Sequence, residues 1–254
     1  MILHIETQGA GPDIVLIHGW GLHGGIWGDL PDKLAQDFRV STVDLPGHGR
    51  SPLPEEAITL ASITDAIVER IGKPAIWIGW SLGGLVALDA ALRHAATVAK
   101  LVLIGATPRF VQGPGWTSAM TPEVFAEFGV SLARDYRATL LRFLSLQAGN
   151  DEEGRALIKR LRGEMFVHGE PSLVALAAGL AILEDADMRE ALAAIRAPTL
   201  VLHGSHDRLA PPAAGEALAA GIPGARFSLI EGAGHAPFLS RPSNCLDALR
   251  SFLA

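Results

Sequence analysis

A serine enclosed by glycines is the first residue of this sequence that could do chemistry. Ser81 stands in the pattern Gly-Trp-Ser-Leu-Gly, after a short apolar run at 75–78 and before a helical pattern that begins at Leu82. A serine on a sharp strand-to-helix turn is held above the edge of a sheet, and such a turn closes only with glycine two residues before and after it. The adjacent helix N-terminus favours developing negative charge. The pattern predicts that Ser81 is a nucleophile.

A serine hydroxyl is a weak nucleophile and needs a base within hydrogen-bonding reach. Of nine histidines, His235 directly follows the last predicted strand, so its loop opens at the same edge of a parallel sheet as Ser81. The acid that orients the imidazole should come from another loop at that edge. Asp207 follows the strand predicted at 199–202, whereas the loop after 101–104 offers no carboxylate. The sequence predicts a catalytic triad of Ser81, Asp207 and His235.

Acyl transfer through a serine also needs N–H donors that stabilise the oxyanion. One donor comes from the residue after the nucleophile and the other from the loop after the first buried strand, here predicted at 14–17. We assign them to the backbone N–H groups of Leu82 and Trp20. His235 would then accept the Ser81 proton, the serine would attack an ester carbonyl, and water would release the acyl group by the same relay.

The elements that must position these residues alternate along the chain. Short apolar runs separated by helical patterns are typical of an α/β fold with a mostly parallel central sheet flanked by helices. The alternation stops at 107–196, which shows only helical periodicity and is too long for one crossover connection. We predict an α/β core at 1–107 and 197–254 that carries an all-helical cap, or lid, at 108–196. Strands are predicted at 14–17, 38–43, 75–78, 101–104, 199–202 and 227–230, and core helices at 27–36, 60–71, 82–94, 213–220 and 245–253.

Composition excludes several classes of protein. Hydrophobic residues make up 49% and charged residues 19% of the 254 residues, which rules out disorder as a general description. The formal net charge of −6 argues against a nucleic-acid partner. The one cysteine, Cys245, can form neither an intramolecular disulfide nor a thiolate metal cluster, and His203 and His206 lack a third ligand nearby. We therefore expect no metal and no cofactor.

Localisation follows from the same features. The apolar stretches are too short to span a membrane, and residues 1–6 lack the basic and apolar regions of a signal peptide. A single cysteine fits a reducing compartment. We expect a cytoplasmic protein without a membrane partner, acting as a monomer.

Segments distributed along the whole chain resemble the α/β-hydrolase family, namely 18–22, 43–51 and 79–87. Within that superfamily, the tryptophans at 20 and 80 and the segments 142–147 and 235–240 resemble the methyl ester esterases that act on pimeloyl-acyl carrier protein in biotin synthesis. The resemblance implies hydrolysis of the ester at the far end of a pimeloyl chain, with release of methanol. It also implies substrate contacts from Trp20, Ser81, Leu82, Phe143, Leu144, Ser145, Leu146, Gln147 and His235.

Basic residues are concentrated in the predicted cap, where seven of the chain's 21 lysines and arginines lie within 134–162. Acyl carrier proteins are strongly acidic, so such a patch could dock one. Charge alone favours this no more than a solvated helix face paired with Asp135 and Glu152. The family resemblance favours docking, which we assign to Arg137, Arg142, Arg155 and Lys159.

Other functions remain open, because a fold does not determine a function. A general short-chain carboxylesterase or a C–C bond hydrolase would use the same triad on other substrates. A binding or receptor protein could carry the triad and hydrolyse slowly or not at all. Serine at position 81 argues against the aspartate-nucleophile branches of this fold, the dehalogenases and epoxide hydrolases.

Overall fold

The computed structural model describes residues 1–145 and 152–254. Within those ranges the chain forms one seven-stranded sheet with the strand order β1-β3-β2-β4-β5-β6-β7, in which β1 pairs antiparallel and the other neighbours pair parallel. The strands are β1 Ile5–Gln8, β2 Asp13–Ile17, β3 Arg39–Val43, β4 Ala75–Trp80, β5 Val98–Ile104, β6 Thr199–Gly204 and β7 Arg226–Ile230. This confirms the predicted mostly parallel sheet.

Strand β1 is the one strand of the described sheet that the sequence analysis did not predict. It is short, its four residues include one apolar side chain, and three of them are exposed. It pairs with only one neighbour, at the edge of the sheet. An edge strand needs no apolar run, so the pattern that identifies buried strands does not detect it. By contrast, every residue of β4 and β6 is buried, as expected for strands covered on both faces.

The helices flank this sheet and occupy the connection before β6. They are α1 Leu30–Leu34, α2 Leu60–Ile71, α3 Leu82–Arg93, α4 Pro122–Arg134, α5 Tyr136–Ser145, α6 Glu152–Glu164, α7 Leu173–Asp185, α8 Pro212–Gly221, α9 Pro237–Ser240 and α10 Pro242–Leu253, with short 3₁₀ helices at Gly24–Trp27, Ala95–Thr97 and Arg189–Ala194.

The helix predicted at 27–36 is wrong in its extent. The structure has a 3₁₀ helix that ends at Trp27, then Gly28, and then the short helix α1. Gly28 adopts φ 57°, a left-handed conformation that a continuous helix does not allow, and Pro31 in the first turn of α1 marks a new start. The other core helices match their predicted positions within a few residues. Helix α10, for instance, begins at Pro242 rather than at Cys245.

Helices α4 to α7 all lie between β5 and β6, in the interval that was predicted to be a helical cap. We call residues 108–196 the cap segment. The described part of this segment contains only isolated bridges, such as Val111 with Met120, in place of strands. Leu140, Leu144 and Leu176 of the cap segment are fully buried in the same hydrophobic cluster as the strands. The cap segment therefore shares one continuous hydrophobic core with the sheet. Within the described ranges, no helix is long and apolar enough to cross a bilayer.

Candidate active site

Ser81 lies on a strained turn between β4 and α3. Its backbone has φ 55° and ψ −117°, and among the described residues it alone has a positive φ without being glycine. A Cβ atom on Gly79 would lie 2.1 Å from the Gly83 carbonyl oxygen, and one on Gly83 would lie 2.1 Å from that of Ile17. Any side chain at either glycine would open the turn. The Ser81 amide donates to the Ile104 carbonyl at 3.0 Å, which anchors the strained residue to β5.

His235 and Asp207 form a buried pair on the loops after β7 and β6. The Nδ1 atom of His235 lies 2.7 Å from Oδ2 of Asp207, and both side chains are fully buried. The second carboxylate oxygen accepts hydrogen bonds from the amides of Leu209 and Ala210, at 2.9 and 3.0 Å. A carboxylate that faces Nδ1 places the imidazole proton there and leaves Nε2 as the basic nitrogen.

The hydrogen bond between His235 and Ser81 that the sequence predicts is not formed in the structure. The Nε2 atom of His235 is buried and has no hydrogen-bond partner among the described residues, and the Ser81 hydroxyl bonds to none of them either. A hydrogen bond nevertheless joins the loops that carry them. The indole N–H of Trp80, the residue before Ser81, donates to the His235 carbonyl at 2.9 Å. Catalytic hydrogen bonds are often long in ligand-free enzymes and tighten with substrate. An unused acceptor and an unused hydroxyl are the two groups that a proton transfer would join.

The loop after β2 passes directly over the serine. A Cβ atom on Gly19 would lie 3.0 Å from Cε3 of Trp80 and 3.2 Å from Cβ of Ser81, closer than an ordinary contact, so a side chain at this position would press on the nucleophile turn. The amides of Trp20 and Leu82 donate to no acceptor within the described ranges. Both N–H groups are thus available to a ligand beside Ser81, as the oxyanion assignment requires.

His18 holds this loop in place. Its Nε2 accepts a hydrogen bond from the Leu45 amide at 2.9 Å, and its Nδ1 lies 2.7 Å from the Gly19 carbonyl oxygen. Complete burial lowers the pKa of His18 to about 3, and the nearby His48 adds to the effect. The ring is therefore neutral at pH 7 and can donate and accept at the same time.

A cavity of about 230 Å³ leads from the surface to Ser81. Its wall is mostly apolar and includes Trp20, Phe110, Phe125, Phe128 and Phe143. Ser81 is only 3% exposed, whereas the side chains of Glu127 and Arg142, which lie 3.7 Å apart, are 67% and 64% exposed. The Ser81 hydroxyl therefore lies at the closed end of the cavity, and the charged side chains lie at its mouth. Most of this wall, including Phe110, Met120, Leu183, Arg208 and Leu209, was not singled out from the sequence.

Trp20 joins the oxyanion loop to the cap segment. Its indole N–H donates to the Leu176 carbonyl at 2.8 Å, and its ring meets Phe143 edge-on at 5.2 Å between centroids. Helix α7 approaches the indole closely, since a Cβ atom on Gly179 would lie 2.8 Å from Cδ1 of Trp20. Movement of the cap segment would therefore move Trp20, whose amide is assigned as an oxyanion donor.

Ion pairs with Asp187 hold the loop that contains Phe110 and Met120 against the C-terminal part of the cap segment. Arg109 and Arg189 both donate to the Asp187 carboxylate, at 2.6 and 2.7 Å. Hydrogen bonds from Arg189 and then Arg109 hold the pKa of Asp187 well below its usual range. This ion cluster fixes one wall of the cavity.

Only some of the residues that the resemblance implies as substrate contacts line the cavity. Phe143 lines the cavity, but Leu144 is buried in the hydrophobic cluster, and Ser145 is exposed with its hydroxyl on the Leu141 carbonyl. Successive helical residues point about 100° apart, so a row of neighbours on α5 cannot all face one cavity. Leu82 is buried and its side chain does not line the cavity. Leu146 and Gln147 lie outside the described residues.

The four basic residues assigned to docking differ in their surroundings. Arg137 pairs with Glu170 and lies over the Phe166 ring, whereas Arg142 lines the mouth of the cavity. Arg155 and Lys159 are exposed on α6. Asp135, one of the carboxylates of the alternative pairing, accepts from the Ala138 amide at the start of α5 and has no ion pair among the described residues. The side chain of Glu152 lies outside the described residues.

The two histidines considered as metal ligands, His203 and His206, differ in their exposure to solvent. His203 is fully buried in β6 and neither ring nitrogen has a hydrogen-bond partner among the described residues, whereas His206 is exposed. Burial lowers the pKa of His203 to about 4. Within the described ranges, no cluster of three His, Cys, Asp or Glu side chains could hold a metal ion.

Comparison with known proteins agrees with this geometry. The model of the alpha/beta hydrolase family matches residues 14–248. A pimeloyl-[acyl-carrier protein] methyl ester esterase from Xanthomonas campestris pv. campestris is 44% identical over 252 residues, which cover 99% of both chains. Its namesake from Stenotrophomonas maltophilia is 44% identical over 99% of this chain and 96% of its own. A solved esterase from Exiguobacterium antarcticum superposes with a TM-score of 0.88 at 25% identity, over 98% of this chain and 94% of that one. The chain therefore belongs to the alpha/beta hydrolase family.

Proposed function

We propose that this protein is a serine carboxylesterase that hydrolyses the methyl ester of pimeloyl-acyl carrier protein to pimeloyl-acyl carrier protein and methanol, in biotin synthesis. The observation that carries the proposal is the aromatic cavity that ends at Ser81 and opens between charged side chains. It suits an uncharged ester at the end of an apolar chain whose other end remains outside. Near full-length relatives that carry the name of this activity support the choice of substrate.

The triad would act in two half-reactions. Nε2 of His235 accepts the proton as the Ser81 oxygen attacks the ester carbonyl, and Asp207 stabilises the imidazolium through Nδ1. The amides of Trp20 and Leu82 bind the oxyanion, and one such donor lowers the activation barrier by about 3 to 4 kcal/mol. The imidazolium then protonates the departing methoxide, and methanol leaves. Water, activated by the same nitrogen, attacks the acyl-enzyme and releases the acid.

The apolar wall would also separate substrate from product. A methyl ester enters the aromatic cavity without losing strong hydration, whereas the carboxylate formed from it is costly to keep away from water unless it is paired. Among the described residues, the wall around Ser81 includes Trp20, Phe128 and Phe143 and no cation other than those at the mouth. The product acid is therefore expected to leave and not to return.

The carrier protein would dock on the cap segment, through Arg137, Arg142, Arg155 and Lys159. Arg142 supports this most directly, since it lies on helix α5 and also at the mouth of the cavity. The protein would act as a monomer. The carrier-bound substrate and the buried, unpaired Cys245 favour a cytoplasmic location.

Complementation tests the proposal as a whole. A biotin auxotroph that lacks its own pimeloyl-carrier methyl ester esterase should grow without biotin when it expresses this protein. The Ser81→Ala variant, produced at the same level, should not restore growth. In parallel, the purified protein should convert methyl pimeloyl-carrier protein to the free acid, which mass spectrometry distinguishes from the ester. If soluble protein fails in both assays and still hydrolyses small esters, the general carboxylesterase replaces this proposal.

A further inference from the structure

Arg208 is a charged side chain at the mouth of the cavity that the mechanism does not use. It lines the same cavity as Ser81 and is exposed. Its guanidinium makes neither a hydrogen bond nor an ion pair with any described residue, in contrast to Arg109 and Arg142, which face Asp187 and Glu127. Arg208 is therefore free to bind a ligand group that reaches the mouth.

The backbone that carries Arg208 is fixed on both sides. Asp207 Oδ1 accepts from the amides of Leu209 and Ala210, so the carboxylate of the triad closes a tight turn around residue 208. Before it, the His206 amide donates to the Ala233 carbonyl at 2.9 Å. A binding residue on a rigid turn loses less conformational entropy when it binds than one on a loose loop. The turn that positions the acid of the triad thus also positions Arg208.

The two arginines at the mouth differ in how far they are neutralised by the described residues. Arg142 reaches the mouth from helix α5 and lies 3.7 Å from Glu127, whereas Arg208 reaches it from the loop after β6 without a carboxylate partner in the described ranges. Guanidinium groups bind phosphate and carboxylate oxygens through paired N–H donors. An apolar cavity with such a guanidinium at its mouth fits a ligand that is apolar along its chain and anionic beyond it.

We propose that Arg208 binds the phosphate of the phosphopantetheine arm that carries the acyl chain, and thereby selects carrier-bound esters over free esters. This inference rests on the proposed function, which places a thioester-linked acyl chain in the cavity. With the methyl ester at Ser81, the thioester end points to the mouth, and the phosphate lies at the far end of the pantetheine arm, which would have to fold back over the mouth to bring it to Arg208. Arg208 would be a specificity residue that leaves the chemistry at Ser81 unchanged.

Binding measured without turnover tests this assignment. In a Ser81→Ala background, calorimetry compares two synthetic ligands, the methyl pimeloyl thioesters of phosphopantetheine and of pantetheine, which differ by the phosphate. Arg208→Gln should weaken binding of the phosphorylated ligand about tenfold, as expected for loss of one charge-assisted contact. Binding of the pantetheine ligand should change less than about twofold, because it offers no anion. Arg208→Lys should recover part of the difference, since it restores the charge without the paired donors.

The matched control is Arg70→Gln on helix α2, which removes another exposed arginine, one that does not line the cavity and has no ion pair within the described ranges. It should leave both affinities unchanged. Equal weakening of both ligands by Arg208→Gln would overturn the assignment, and so would an effect seen only with the intact carrier protein, which would place the contact on the carrier surface. Failure of the proposed function is a separate result, namely that the wild-type protein releases no methanol from either thioester.

Discussion

The strand-end loops and the cap segment build the site by different kinds of interaction. In the loops, directional hydrogen bonds hold the proposed catalytic groups, as in the buried contact of 2.7 Å between His235 Nδ1 and Asp207 Oδ2. In the cap segment, ring packing shapes the cavity, as where Phe143 meets Phe128 and Trp20 edge-on. Hydrogen bonds fix atoms in place, whereas apolar packing fixes volume. The core loops should therefore decide which bond reacts, and the cap segment should decide which chain is accepted.

The largest effect should follow from Ser81→Ala. Removing the nucleophile should lower kcat by roughly 10⁴- to 10⁶-fold on methyl pimeloyl thioesters and on small esters alike, because both use the same hydroxyl. Steady-state turnover of the two substrates measures this directly. An unchanged unfolding temperature would show that the loss is chemical. If the variant retained turnover of either substrate, Ser81 would not be the nucleophile, and the catalytic role given to the core loops would be wrong.

Asp207→Asn should have the next largest effect. Asparagine can keep an oxygen towards the amides of Leu209 and Ala210 and then presents its NH₂ group to Nδ1 of His235. This favours the wrong imidazole tautomer, so kcat should fall about 10⁴-fold with little loss of stability. Stopped assays on both substrates, together with thermal unfolding, measure the two quantities. A loss for the long ester alone would contradict the role given to this loop.

Phe143→Ala tests the other half of the comparison. The substitution removes one aromatic wall and its contact with Trp20. kcat/KM for the pimeloyl thioester should fall by roughly 10- to 100-fold, the amount expected when a hydrophobic site loses its fit. Hydrolysis of a short acetate ester should change less than about threefold, since it makes little use of the wall.

The control is Phe166→Ala, which truncates another aromatic side chain of the cap segment, one that packs under Arg137 and does not line the cavity. It should leave the ratio of the two rates unchanged. If Phe143→Ala lowered both rates equally, the cap segment would be acting on the chemistry rather than on the choice of chain.

How much the sequence alone could predict differs in the same way between the two regions. Parallel strands bring their carboxyl ends to one edge, so the order of strands along the chain is enough to group Ser81, Asp207 and His235 at that edge. A main-chain amide that follows a motif, such as that of Leu82, can be assigned with them. The core loops can be predicted to this extent because topology and local turns determine their positions.

The cavity wall could not be predicted in this way. Phe110 and Met120 lie in an irregular loop without periodicity, and an ion cluster around Asp187 fixes that loop. On α5, the rotation of the helix turns Leu144 and Ser145 away from the cavity beside Phe143. Such positions depend on how helices pack in three dimensions, which the apolar pattern of one helix does not specify.

Acid should produce the smallest effect, on stability and within the core. Burial lowers the pKa values of His18 to about 3 and of His48 and His203 to about 4, from 6.5. The unfolded chain therefore binds protons at a higher pH than the folded protein does. The free energy of unfolding should be highest above about pH 6.5 and should fall as the pH decreases towards 4.

Denaturant unfolding between pH 7.5 and 4.5 (a range of about three units around the ordinary histidine value) measures this slope. His203→Leu should flatten part of it and leave turnover close to wild type, because His203 makes no hydrogen bond in the described structure. An identical slope in wild type and variant would show that His203 does not contribute.

The central claim is that His235 makes the Ser81 hydroxyl reactive, and covalent labelling by a fluorophosphonate tests it most directly. The account predicts one label per chain on the peptide that contains Ser81, no label in Ser81→Ala, and labelling slowed by roughly 10³-fold or more in His235→Ala. Labelling of another residue, or an undiminished rate without His235, would contradict the claim.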